Sequence, residues 1–279
     1  MWEYGVNIDW AGIVLERVTG QYLGDYFAEH IFAPLGISSE GASMFPTKDS
    51  QKHLAHMHQR DAEGKLKERE HLYSAPLSRS TKEEQDQCLQ SGGAGLFAKP
   101  KEYVKILGAL LNDGVAPQSG KRILKKESVD SMWENQIPAQ YVFISPHIAA
   151  LRIPNISRPD FARNGPPPAN PLLVNQSPEF YPQPGNPPQG WGYGGFLTIE
   201  PGPSGRGANT LWWMGLCNCF WWIDREKGVA GMLGAQVSCR SGYNDEEIML
   251  NHDFFRCCRT VTRKLFRLGS CARRRFMII

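Results

Sequence analysis

The sequence predicts an α+β fold, with helices packed on an antiparallel sheet, and three observations lead there. Helical periodicity occupies the first part of the chain. Short apolar and aromatic runs separated by turn residues fill it from residue 193, and helical periodicity returns near the end.

The first helices are read from Trp10, Val14 and Val18, followed by Tyr22 and Tyr26, which recur every four residues around an interruption at Thr19-Gly20. This spacing predicts a helix over about 8–19, a break at Gly20 and a second helix ending near Ile31. Pro34-Leu35-Gly36 then stops the helical pattern. Residues 53–73 are polar, and Asp61-Ala62-Glu63-Gly64 is the predicted turn of a hairpin. Gly92-Gly93-Ala94-Gly95 should form a tight loop. It leads into a helix near 100–112, where Tyr103, Ile106, Leu107, Leu110 and Leu111 fall on one face.

Residues 154–190 hold eleven of the twenty prolines, including Pro166-Pro167-Pro168. Proline fixes φ and removes a backbone donor, so this stretch is neither helix nor inner strand, and we expect a long surface loop folded over the body. A β-meander is expected next, with strands at 196–199, 210–214, 219–223 and 229–237. Their separators are Pro201 to Gly205, Gly215 to Asn218, and the hairpin signal Asp224-Arg225-Glu226-Lys227-Gly228. Phe254, Cys258, Val261, Leu265 and Leu268 then step by four and three, which predicts a C-terminal amphipathic helix. The chain contains no internal repeat.

Composition narrows the function classes. At 41% hydrophobic and 21% charged residues, this is the usage of an ordinary soluble globular protein. The net charge of +3 hides a basic tail, because residues 256–279 carry eight Arg or Lys and no acid. Arg256, Arg259, Arg263 and Arg267 beside an apolar stripe could meet an anionic surface, but a packed helix with a solvated face accounts for them. We therefore expect no nucleic-acid partner. No apolar run reaches the roughly 18–20 residues that span a bilayer, so no membrane span is expected. No signal peptide is expected from Met1-Trp2-Glu3-Tyr4, which lacks a charged n-region followed by an apolar h-region, and seven cysteines without a Cys-x-x-Cys pair suit a reducing, cytoplasmic location. His53, His56, His58 and His71 lack a carboxylate or cysteine cluster, so no metal is expected. Cys217 and Cys219 read as small packing residues.

Three segments carry a family resemblance. The first runs from Trp2-Glu3-Tyr4-Gly5-Val6-Asn7-Ile8-Asp9-Trp10-Ala11-Gly12 through Glu16-Arg17-Val18-Thr19-Gly20 to Pro34-Leu35-Gly36. The second is Gly92-Gly93-Ala94-Gly95-Leu96. The third is Trp212-Trp213-Met214-Gly215-Leu216-Cys217-Asn218 with Trp222-Ile223-Asp224 and Lys227-Gly228-Val229. In this order and spacing they resemble the serine β-lactamase and penicillin-binding-protein superfamily, and more closely its esterase and lovastatin-type acyltransferase branch.

The resemblance implies a β-lactamase/transpeptidase-like fold, an antiparallel sheet with packed helices plus a helical lobe, incomplete at its N-terminus. Residues 1–270 would be one partial domain: 1–150 mainly the helical lobe with a hairpin, 154–190 the proline-rich loop, and 193–268 the meander and C-terminal helix. The basic tail would be 271–279. The family's chemistry needs a serine nucleophile, a lysine beside it, a tyrosine that moves the serine proton, and backbone N–H groups aimed at the oxyanion. The resemblance places Tyr4 at the tyrosine and the N–H of Leu216 at an oxyanion donor. Trp213, Gly215, Trp191 and Tyr193 are placed around the substrate. Val6 and Trp213 stand where β-lactamases carry asparagine and lysine, which points away from a charged β-lactam and toward a neutral ester or acyl thioester. No metal or organic cofactor is implied.

The nucleophile has no candidate, because no serine is followed three residues later by lysine; Ser78 meets Thr81 and Ser119 meets Arg122. The expectation is therefore a chain that begins inside the fold and is inactive as given. Its rival is a catalytically dead binding or scaffolding protein using the same cleft.

Overall fold

A computed structural model describes residues 6–60, 65–136, 189–201, 205–215, 217 and 219–238. The described chain begins with α1 (Asn7–Thr19), which ends where Gly20 adopts a left-handed φ of 71° and returns its N–H to the Glu16 carbonyl. The Glu16 side chain then accepts from the N–H of Leu23 at 2.8 Å, at the start of α2 (Leu23–Phe27). A π-helical turn, Ala28–Phe32, continues directly from it.

The middle of the chain is made of short pieces. They are β1 (Ala42–Ser43), α3 (Lys48–Gln51), β2 (Met57–Arg60), β3 (Leu66–Arg69), a 3-10 turn (Ala75–Ser78), α4 (Lys82–Asp86) and β4 (Phe97–Ala98). β2 and β3 pair antiparallel from Met57–Arg69 to Arg60–Leu66, as the hairpin signal predicts; the turn itself, 61–64, lies outside the described residues. Then come α5 (Pro100–Leu111) and α6 (Lys126–Met132). Sequence reading missed α3, α4 and α6, which are too short to display a period.

The main sheet is an antiparallel meander of β5 (Gln189–Gly192), β6 (Gly195–Thr198), β7 (Thr210–Gly215), β8 (Cys219–Asp224) and β9 (Val229–Gly234), in that spatial order. Two expectations change here. Gln189 and Gly190 already belong to β5, although they close the stretch read as loop. The run 229–237 is two strands: Gln236 takes a φ of 51°, and β10 (Val237–Ser238) turns away to pair in parallel with β2. A non-glycine residue in the left-handed region leaves no pattern in hydrophobicity. The other residues of the proline-rich loop and the C-terminal helix lie outside the described residues.

α5 was expected to bury one face. In the structure Leu107 and Leu110 pack with Val129, Ile223 and Ala230 against the sheet, while Ala109 joins Phe32, Leu35 and Ile37 on the other side. The helix is therefore central to the packing, with Ile223 of the sheet fully buried against it. Arg225 in the β8–β9 turn bonds Asp113 at 2.9 Å and Asp130 at 2.8 Å and lies 5.0 Å from the Trp133 ring, tying that turn to the helices. Among the described residues no helix is long and apolar enough to cross a membrane.

α1 departs most from the pattern that predicted it. It docks through Gly12, where an added Cβ would stand 3.0 Å from Leu23, and its apolar stripe faces outward. Trp10 is 62% exposed and Val18 80%, with Val6 and Val14 between these values or close to them. Such a stripe should bind an environment-sensitive apolar dye. We predict that Val14→Gln with Val18→Gln lowers dye fluorescence while unfolding free energy stays within about 0.5 kcal/mol, the usual range for exposed positions. Equal dye binding by the double variant would place the exposed surface elsewhere.

Candidate functional site

The aromatic residues of the meander form a continuous row because antiparallel partners share a face. Trp191 opposes Phe196, Phe196 opposes Trp212, and Trp212 opposes Trp222. The Trp191 ring lies 5.2 Å from Phe196 edge-on and 4.8 Å from Trp213, and Phe196 lies 5.1 Å from Trp212. The structure thus brings together two of the residues the sequence singled out, Trp191 and Trp213, and adds Phe196, which it did not. Trp212 is fixed by its indole N–H, which donates to the Thr198 hydroxyl at 2.9 Å in a buried setting. Trp222 lies over Gly231, where a Cβ would be 2.4 Å from the indole.

β5 is an edge strand, and the segment after α6 covers that edge. The Trp191 N–H donates to the Asn135 side chain at 3.1 Å, and the Trp191 carbonyl accepts from the Gln136 N–H at 2.7 Å. A Cβ on Gly192 would stand 1.9 Å from the Met132 carbonyl, so only glycine admits this approach. Tyr193 occupies the turn between β5 and β6 with Gly194, whose φ of 88° suits the third position of a type II turn. Its side chain is 58% exposed.

β7 ends at Gly215, and among the described residues the Cβ it lacks would meet only the Cys217 sulfur, at 4.0 Å. None of the described residues crowds the backbone there more closely. Leu216 and Tyr4 lie outside the described residues. Cys217 and Cys219, read as packing residues, have their sulfur atoms 3.3 Å apart. Hydrogen bonding from Cys219 brings the Cys217 thiol down to about 7, and the same bond pushes the Cys219 thiol well above the ordinary thiol range.

The glycine loop is docked onto the first turn of α1. Asp9 accepts from the Ser91 hydroxyl and from the Gly93 N–H at 3.2 Å, and the Ser91 hydroxyl in turn accepts from the Ala94 N–H at 2.9 Å. A Cβ on Gly92 would fall 2.5 Å from the Ile8 carbonyl, which accounts for a glycine at that position. The Gln90 side chain accepts from the Gly24 N–H at 2.7 Å. These bonds fix the entry to α1, five residues beyond Tyr4 in sequence at Asp9. Sequence reading picked out the glycines and included Asp9 in the first family segment, but gave no role to Asp9, Ser91 or Asn135, whose partners are far away along the chain.

The histidines do not converge. His56 pairs with Glu68 across the hairpin, which holds the Glu68 carboxyl below its ordinary range, and His71 stands edge-on to Phe97 at 6.4 Å. Among the described residues no three His, Cys, Asp or Glu side chains are grouped as a metal ion would need.

Comparison with known proteins follows the same lines. The family model described as β-lactamase matches residues 2–141. The chain is 31% identical over 237 residues to lovastatin esterase of Penicillium rubens, covering 85% of this chain and 50% of that protein. It is 28% identical over 247 residues to monacolin J acid methylbutanoyltransferase of Aspergillus terreus, covering 85% and 49%. Among solved structures, a mutant of simvastatin synthase from Aspergillus terreus superposes with a TM-score of 0.62 at 24% identity, covering 94% of this chain and 55% of that one. A penicillin-binding-protein homologue from Caulobacter crescentus gives 0.51 at 17% identity, with 82% and 50% covered. These structures share the β-lactamase/transpeptidase fold, and the chain spans about half the length of the curated relatives it matches.

The Asp9 contact can be tested directly. Asp9→Ala leaves the Ser91 hydroxyl and the Gly93 N–H without their acceptor, and a loss of about 1–3 kcal/mol is expected. Urea unfolding should show a lower midpoint for Asp9→Ala and a smaller drop for Asp9→Asn, which keeps one oxygen. Identical midpoints for Asp9→Ala and the unaltered chain would mean that the loop is held by other contacts.

Proposed function

Because this chain belongs to the β-lactamase family, we propose that it is the tyrosine- and oxyanion-bearing part of a serine esterase or acyltransferase. Its substrate would be a small neutral ester or acyl thioester, processed through an acyl-enzyme without metal or organic cofactor. The observation that supports this reading is the aromatic wall at the end of β7. Trp191 and Trp213 stand ring to ring, and Gly215, two positions on from Trp213, meets no described residue closer than the Cys217 sulfur. An indole at position 213 offers apolar surface and no ammonium, which suits an uncharged acyl chain better than a carboxylate. The names of the relatives, a lovastatin esterase and a methylbutanoyltransferase, fit the same substrate class.

In this scheme a serine hydroxyl attacks the ester carbonyl, and Tyr4 with a neighbouring lysine takes the serine proton. An unperturbed tyrosine ionises near about 10, so the lysine's charge is what makes Tyr4 a usable base at neutral pH. The Leu216 N–H donates to the oxyanion of the tetrahedral intermediate. Trp213, Trp191 and Tyr193 border the acyl group, and Gly215 lets it approach the strand. Water or an alcohol then releases the acyl group from the serine. The 279 residues contain no Ser-x-x-Lys, so we assign the nucleophile to residues other than these and expect these 279 alone to be inert. That absence favours one rival reading, a binding or scaffolding protein that uses the same surface without turnover. We treat 1–270 as one partial domain and place the chain in the cytoplasm on its cysteine usage.

Two measurements separate the readings. The chain as given should form no covalent adduct with a fluorophosphonate and should not turn over p-nitrophenyl esters; stoichiometric labelling of any serine would overturn the assignment of the nucleophile. Joined to the Ser-x-x-Lys-bearing segment of a full-length relative, it should gain esterase activity. Tyr4→Phe should then cut kcat by about 10²–10⁴-fold, the usual contribution of a general acid–base group, with little change in KM. Trp213→Ala should shift acyl preference and KM instead. A folded, ester-binding hybrid that stays inert would favour the binding protein, and a Tyr4→Phe hybrid with undiminished kcat would remove Tyr4 from the mechanism.

A further inference from the structure

The turn between β7 and β8 and the first residue of β8 carry two thiols that the ester chemistry does not use. Cys217 and Cys219 are both half-buried, and their sulfur atoms are 3.3 Å apart. A disulfide bond measures about 2.05 Å, so closing the pair needs a movement of only about 1.3 Å. Their surroundings hold them in place. The Cys217 carbonyl accepts from the Val237 N–H at 3.2 Å, and the Gln236 side-chain amide donates to the Cys219 sulfur at 3.8 Å. Gly234, opposite Cys219 in the register, leaves room for that sulfur, since a Cβ there would stand 3.7 Å from it. Cys88, the third described cysteine, has a different environment, with its sulfur 4.0 Å from the Tyr73 hydroxyl.

We propose that Cys217 and Cys219 form a redox-reactive dithiol in which Cys217 attacks a hydroperoxide and Cys219 resolves the product into a Cys217–Cys219 disulfide. The pair is polarised for this division of labour. The two sulfur atoms share one hydrogen bond; with Cys219 as its donor, Cys217 is the one that ionises near neutrality and Cys219 is the one that keeps its proton. The Tyr103 phenol, which feels Cys219, is pushed up by burial and stays neutral, so it adds no charge to the pair.

The steps balance as follows. The Cys217 thiolate attacks one peroxide oxygen, the O–O bond breaks, and the departing hydroxide takes a proton to become water. Cys217 is thereby oxidised by two electrons to the sulfenic acid. Its negative charge is then gone, and with it the interaction that held the Cys219 proton. The Cys219 sulfur attacks the Cys217 sulfur, its proton leaves with the sulfenic hydroxyl as a second water, and the S–S bond forms. Two thiols and one hydrogen peroxide become one disulfide and two waters. The bond would close a ring over residues 217–219, which begins one position after Leu216 in sequence. The thiol chemistry itself does not depend on the ester reading.

Trypsin provides a clean assay, because the fragment 207–225 contains Cys217 and Cys219 and no other cysteine. The full chain is treated with equimolar hydrogen peroxide, blocked with N-ethylmaleimide without reduction, and digested. The expected fragment is unalkylated and lighter than the dithiol by two hydrogens, about 2 Da, while the Cys88 fragment remains alkylated. Oxidation should run about tenfold faster than for a free cysteine, which is only a few per cent ionised at pH 7. In Cys219→Ser the sulfenic acid should persist on Cys217 and be captured by dimedone; in Cys217→Ser the remaining thiol should be captured far more slowly. A doubly alkylated 207–225 fragment after peroxide, or oxidation no faster than at Cys88, would overturn the proposal, and neither result depends on a variant folding. Equal dimedone capture at Cys217 and Cys219 in the two variants would overturn the assignment of roles.

Discussion

Ala109 and Leu107 are two residues apart on one helix, both are buried, and they belong to different apolar clusters. α5 is therefore a helix packed from two sides, and much of the described structure depends on it. Toward the sheet it sets the height of β8 and β9, since Leu107 and Leu110 rest on Ile223 and Ala230. On the other side it receives the chain that follows the π-helical turn, through Phe32, Leu35 and Ile37. A substitution such as Leu107→Ala would remove volume from an interior packed at crystal-like density, where neighbours relax only in part. The meander would feel it and so would the helical part, because no second layer separates them from α5.

The aromatic wall depends on that placement at one remove. β8 locates β7 by antiparallel register, β7 locates Trp212 and Trp213, and Trp213 meets Trp191 on β5, which is held by β6 on one edge and by Asn135 and Gln136 on the other. An unpaired edge next to half-buried rings would invite pairing with another chain. Here the backbone N–H and carbonyl of Trp191 are already occupied by Asn135 and Gln136, and its ring is half-buried against Phe196 and Trp213.

What could be read from the sequence follows from how local each signal is. The break at Gly20, the hairpin around 61–64, the start of α5 and the Asp224–Gly228 turn were all legible, because turn and cap residues act within a few positions. α4 was missed although Thr81 and Glu84 form a capping box, since five residues show a cap but no period. The stripe Trp10-Val14-Val18 gave the right helix and said nothing about its partner: periodicity reports which residues share a face, not what covers that face. The candidate site divides in the same way. Trp191 and Trp213 came from a family pattern and do meet, whereas Asn135, Asp9 and Ser91 act on partners 56 to 84 positions away. No spacing rule reaches that far.

The parallel pairing of β10 with β2 has a consequence for how this chain folds. His58 and Val237 are partners, yet 179 positions separate them. Such a contact contributes nothing until a very large loop has closed, and the entropy of that closure must be met by structure already formed. The hairpin β2–β3 can form early on its own, but two strands without a third are marginal in water. Its third strand is delivered only after the meander has run its full course through β9. The hairpin therefore reports completion: protection of the His58 amide, which bonds the Gln236 carbonyl at 2.9 Å, would be among the last to appear during refolding. In a cell the same arrangement would leave this part of the surface open to proteases until synthesis had passed residue 238.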